Sequence, residues 1–268
     1  MEPAEPMAPA SGAELTPAWR TWGRLLATTG AIAFAVTALI LLLDNLHVFV
    51  KPPDLPDATR LPDRLIAILE YESQHFPIAL LNVLVASVSF AALGALGPVV
   101  RRLLDGHDPR GSLAVGAFGL GGVIGVIGQV EYAGGLAVTS NATYCQCEFA
   151  DPQVIARGEV LDLVSSIQTW SIAGTLVAFA IGLLLVAALG RGSLAAPAGW
   201  LRLSVALGSL MLLVAVATLG FPPLADALGW RVDPGIVTGV PSVVILLVLV
   251  PWWALWLRRL LGSELPSG

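Results

Sequence analysis

Charge is scarce in this chain. Only 12% of its 268 residues are Asp, Glu, Lys or Arg, about half the roughly 25% of an ordinary soluble domain. Hydrophobic residues make up 56%, and the mean hydropathy is +0.81. A soluble chain of this length could not hide so much apolar surface, so an ordinary soluble globule is excluded and lipid must be the solvent. Lysine is nearly missing: Lys51 stands alone beside 13 arginines. That bias, with abundant Ala, Gly, Leu and Val, points to a GC-rich bacterial genome. Catalytic signatures are also missing. There is no G-x-S-x-G, no H-E-x-x-H and no Ser/His pairing within one segment. The stretch "GLGGVIG" has no preceding strand and no Gly-Lys-Ser/Thr, so it is not a phosphate loop.

What the chain does have is long uncharged runs. Arg24 and Asp44 bracket 19 such residues, 25–43. Further runs cover 76–100, 111–130, 163–190, 203–225 and 234–257. Crossing the hydrocarbon takes about 20 residues at a 1.5 Å rise each, so six spans are predicted. Helices are the economical form, because each segment must satisfy its own backbone polar groups. The predicted fold is all-α: a polytopic transmembrane helical bundle over residues 19–260. Disordered segments are expected at 1–18 and 261–268. Residues 1–18 lack a basic start and an A-x-A-like site, so the first span reads as a retained anchor.

Arginine placement gives an orientation. With the N-terminus in the cytoplasm, nine basic residues and six acids fall inside, and five basic residues and 13 acids fall outside. The positive-inside rule therefore puts both termini in the cytoplasm. Trp19, Trp22, Trp200, Trp252, Trp253 and Trp256 fall at the inner boundary, and Trp170 and Trp230 fall near the outer one. In the first outer loop, Leu61, Leu65, Ile68 and Leu69 recur at helical spacing. They predict a short amphipathic helix lying on the membrane or capping the bundle. In the second, Asp151 is a candidate N-cap with Pro152 at the first helical position.

Both cysteines lie in "NATYCQCEFAD", on the outer side of this map. Cys145 and Cys147 could form a tiny strained disulfide, remain free thiols, or join His47 and His75 in a Cys2His2 metal set. Only sidedness supports the metal reading. Haem held by His47 and His75 is disfavoured, since those residues flank helices rather than face each other within them. No cofactor is expected, and His107 reads as a solvated turn residue.

Polar residues inside the spans say more, because they are costly in lipid and turn toward a bundle interior or a wet recess. Asp44, Asn45, Asn82, Gln129, Glu131 and Gln168 all fall in the outer half, as candidate lining of an outward-facing polar vestibule. Ser165 and Ser166 share that level. The last two spans offer only Ser204, Ser209, Thr218, Thr238 and Ser242, and no acid, base or amide lies deep in the inner half. A proton or ion path normally carries polar groups through the full thickness, so a channel is disfavoured.

The third span carries Gly116, Gly119, Gly121, Gly122, Gly125 and Gly128. Small residues let helix backbones approach closely. This helix, in which Gly121 and Gly125 form G-x-x-x-G, is predicted as the packed centre, with a homodimer seam through the glycine-rich helix as the alternative. Pro222 and Pro223 predict the end of the fifth helix, and Pro251 predicts a bend in the sixth.

Residues 170–221 carry Trp170, Gly174, Gly182, Arg191, Leu194, Pro197, Trp200 and Gly208. In this pattern a glycine-spaced helix is followed by a basic turn, a Leu…Pro…Trp segment and another glycine-bearing helix. It resembles a family of small bacterial multi-pass membrane proteins of unknown function. The resemblance implies a multi-helix protein of the bacterial inner membrane and brings no activity with it.

The sequence thus points to a non-enzymatic binding, accessory or sensory membrane module, with the bilayer and a membrane protein as partners and no nucleic acid. Two other readings stay open. One is a transporter of an apolar or amphipathic solute. The other is a periplasm-facing redox or metal enzyme using Cys145 and Cys147.

Overall fold

In the computed structural model the described residues are 15–51, 61–104, 108–144, 151–191, 193, 196–229, 241 and 244–262. They are helical throughout their ordered elements, with no strand among them. The helices are α1 (Pro17–Asn45), α2 (Leu61–Leu104), α3 (Pro109–Tyr144), α4 (Asp151–Gly190), α5 (Ala198–Leu228) and α6 (Val250–Leu260), the last preceded by a π-helical turn, Ile245–Leu249. Helices α1 to α5 are each long and apolar enough to cross a membrane. The chain is therefore an all-helical membrane protein. The sixth predicted span, 234–257, is described only in part; its residues from Val244 onward are helical.

Local chemistry sets the ends. Pro17 sits at the first helical position of α1, where its missing N–H costs nothing. It also lies inside the expected disordered segment 1–18; residues 1–14 are outside the described ones. Asp108 caps α3, its carboxylate accepting from the Arg110 backbone N–H at 2.8 Å. Gly229, at φ +66, takes the left-handed conformation that stops α5. The π turn falls just before Pro251. Proline has no N–H to close the ordinary helical bond, and the ladder widens there.

Three expectations are corrected. The amphipathic stretch at 61–75 is no separate surface helix; it is the first part of α2, which runs unbroken through Pro77 and Pro98. Pro222 and Pro223 do not end α5, which continues to Leu228. And α3 is not the packed centre. It is wedged between α2 and α4 on one flank, while Leu113, Leu120, Val123 and Ile127 stay exposed on the other.

At 44 residues, α2 is ~66 Å long, against ~30 Å of hydrocarbon. Helices α3 and α4 overshoot at the same end, with 36 and 40 residues. There they have a core of their own. Leu69, Leu136 and Val154 are buried, Leu65 lies against Gly158, and Val164 lies against Gly135. Water-facing helix extensions need such partners, since isolated helices of this length are marginal.

Neighbouring helices are antiparallel and close a ring, with α6 packing on both α1 and α5. Lipid gives little hydrophobic drive for helix association, so close fit does the holding. Backbone meets backbone between α2 and α3. A Cβ on Gly122 would lie 3.0 Å from the Phe90 carbonyl oxygen and 3.1 Å from the Gly94 Cα. Gly121 is filled by Phe179 of α4 and Gly125 by Phe90 of α2. That pair is occupied within the chain, whereas Gly116 and Gly119 of the same helix meet nothing within 4 Å.

A column of aromatic rings runs through the middle. Phe34 meets Phe90 edge-on at 5.6 Å, Phe90 meets Phe179 at 6.4 Å, and Phe179 meets Phe118 at 6.0 Å. Phe118 then stacks on Trp253 at 6.1 Å, and Trp253 on Trp200 at 5.5 Å. All six helices contribute a ring. Each such pair adds about 0.5–1.5 kcal/mol beyond simple burial. Two hydrogen bonds lock the last pair: Trp253 Nε1 donates to Ser204 Oγ at 2.8 Å, and Trp200 Nε1 to the Trp253 carbonyl at 3.4 Å.

Candidate functional site

The polar residues gather where the ring of helices gives way to the overshooting ends of α2, α3 and α4. Asp44 stands in the last turn of α1. Just beyond it the chain leaves the helix through His47, which sits at φ 53 and is exposed. His75 lies on α2, is buried, and donates through Nε2 to Asp44 Oδ1 at 2.5 Å. The imidazole is assigned as the donor because a carboxylate oxygen only accepts.

The helical period of α2 brings two more groups to the pair. Tyr71, one turn before His75, stacks on the imidazole at 5.7 Å with its ring plane 7° from parallel. Half-buried Glu72 lies close enough to interact electrostatically with both His75 and Asp44. Tyr132 comes across from α3 and feels Glu72, Asp44 and Tyr71. Three helices thus place two carboxylates and two phenols around one imidazole.

A deeper layer follows. Asn82 lies two turns beyond His75 on α2. The Asn82 Oδ1 is buried and has no hydrogen-bond partner. Leaving such an acceptor dry costs about 1–3 kcal/mol, so the position calls for a donor. Gly128 lies against Ser171 and Gly135 against Val164 on α4, which sets Gln168 opposite Glu131. Gln129, two residues before Glu131, is buried.

The sequence-predicted residues therefore sort as follows. Asp44 and His75 are brought together. Glu131 and Gln168 stand opposite each other on α3 and α4, Glu131 exposed and Gln168 half-buried, while Asn82 lies on α2 and Gln129 on α3. Cys145, Cys147 and the Asn45 side chain lie outside the described residues. Among the described residues no three of His, Cys, Asp and Glu come together in metal-ligating geometry. Tyr71, Glu72 and Tyr132 were not read from the sequence as site residues. They fall outside the uncharged runs, and a tyrosine four residues before a histidine was the only signal.

The opposite end carries other charge. Arg102 covers the Trp19 ring at 4.1 Å. Asp108 is held below the usual carboxylate range by Arg110, whose guanidinium donates to it at 2.6 Å. No family model, curated protein or solved structure matches this chain.

Proposed function

We propose that this multi-pass protein is a non-enzymatic binding, accessory or sensory module of the bacterial inner membrane. Its His75 end faces outward, and both termini are cytoplasmic. The occupant of the recess is a hydrogen-bond-donating, positively charged group on a small ligand or partner.

One observation carries the reading: the Asp44–His75 pair at 2.5 Å, with Glu72 beside it and the Asn82 carbonyl oxygen buried without a donor. The two carboxylates at the pair, and the unpaired amide oxygen two turns further along α2, favour a donor. The stacked Tyr71 and His75 rings add an aromatic face suited to a cation. The excess of acids predicted outside the membrane works in the same direction.

The aromatic column argues against the carrier reading. Phe34, Phe118, Phe179, Trp200 and Trp253 are almost fully buried and fill the bundle where a path would have to run.

The test is a photo-crosslinking amino acid at Glu131, used in native membranes. A discrete adduct is expected, and Asp44→Asn or Asn82→Leu is expected to abolish it. The same crosslinker at lipid-facing Leu213 should give only lipid adducts. Identical adducts at both positions would overturn the reading. Solute-dependent flux in liposomes holding the purified protein would replace it with a carrier.

A further inference from the structure

A second site stands at the other end of the molecule and does not depend on the first. Between α1 and the C-terminal turn of α6 lies a cleft of about 360 Å³, lined by Arg24, Leu255, Arg258, Arg259 and Gly262. All three arginines are exposed, and no carboxylate among the described residues forms an ion pair with any of them. Gly262 keeps the cleft open. A Cβ there would stand 3.7 Å from the Arg24 guanidinium carbon. Three guanidinium groups around one opening repel each other unless an anion joins them. Arginine's planar fork suits phosphate oxygens, which it can hold through paired hydrogen bonds.

The walls say which phosphate. Arg24 and Arg258 bound the uncharged runs 25–43 and 234–257, so the cleft lies at headgroup level. One to two turns deeper on α6, Leu255 and Trp252 are exposed, and Trp252 stacks on Trp256 at 6.1 Å. The accessible side of α6 passes from apolar to cationic within two turns, as a phospholipid passes from acyl chain to phosphate. A free phosphate ion would use only the cationic half. We propose that the Arg24–Arg258–Arg259 cleft binds the headgroup phosphate of an anionic phospholipid, with the acyl chains along Leu255 and Trp252.

The test uses the full-length protein in a neutral detergent. It is offered equal amounts of phosphatidylglycerol and phosphatidylcholine with matched chains, and bound lipid is read by native mass spectrometry. The wild type is expected to retain phosphatidylglycerol preferentially. Arg24→Gln and Arg258→Gln should each lower that preference by about fivefold, the loss expected from one basic residue near an anionic headgroup. Arg24→Lys should keep most of it. Arg110→Gln, at the same end but already paired with Asp108, should leave it unchanged. No preference in the wild type would overturn the proposal, as would an equal loss in Arg110→Gln. Displacement of the lipid by millimolar inorganic phosphate would also overturn it, making free phosphate the ligand.

Discussion

The Asp44 carboxylate holds the His75 imidazole at 2.5 Å across 31 residues of sequence. It ties the last turn of α1 to the turn of α2 just before its uncharged run begins. The two side chains are only 23% and 11% exposed, so each is poorly supplied with water as an alternative partner.

Removing either partner should cost stability. Asp44→Asn and His75→Leu are each expected to destabilise the protein by about 1–3 kcal/mol, since the survivor is left buried and underbonded. The double variant should lose less than the sum. Thermal unfolding of the purified protein in detergent gives all three values.

The glycines of α2 and α3 should divide sharply by what they face. Gly122→Ala sets a Cβ against the backbone of α2 at 3.0–3.1 Å, and neither backbone can move without parting the helices. A loss of about 1–3 kcal/mol is expected, as for overpacking. Gly116 has nothing within 4 Å of a Cβ. Gly116→Ala should gain up to about 1 kcal/mol from helix propensity. The same unfolding measurement checks both.

Trp253 links three features: the aromatic column, the Ser204 hydroxyl and α5. Trp253→Ala should cost about 3–5 kcal/mol as a large buried truncation. Ser204→Ala should cost about 1 kcal/mol, one hydrogen bond. Equal losses would mean that the bond, not the packing, dominates.

Asp108 provides a pH readout. Its folded pKa is depressed by Arg110, so the capped form is favoured above the ordinary carboxylate pKa. That advantage disappears as pH falls through the depressed value. Arg110→Gln should return Asp108 to ordinary titration, which the carboxyl carbon chemical shift would record, with little change in melting temperature at neutral pH.

Much of the fold was legible because lipid imposes a simple code. The run 25–43 lies within α1, 76–100 within α2 and 111–130 within α3. The helix ends were not legible. Charges at Glu131 and Asp162 mark where lipid stops, but α3 and α4 continue past them because Leu136 and Val154 find buried partners. Spacing in Leu61, Leu65, Ile68 and Leu69 showed a helix. Its continuity with the second span was hidden by Pro77, which α2 absorbs. At the site, the positions of Asp44 at the end of the first helix and Asn82 within the second were readable from the uncharged runs. The pairing of Asp44 with His75 was not, because it joins the last turn of α1 to a position about four turns inside α2.

Sidedness decides most directly between this account and its rivals. In a Cys145→Ser, Cys147→Ser background, Glu131→Cys and Arg259→Cys would be treated with a membrane-impermeant maleimide on intact cells with a permeable outer envelope. The Glu131→Cys variant is expected to label at once, and Arg259→Cys only after the membrane is broken. The reverse pattern would contradict an outward-facing Asp44–His75 recess.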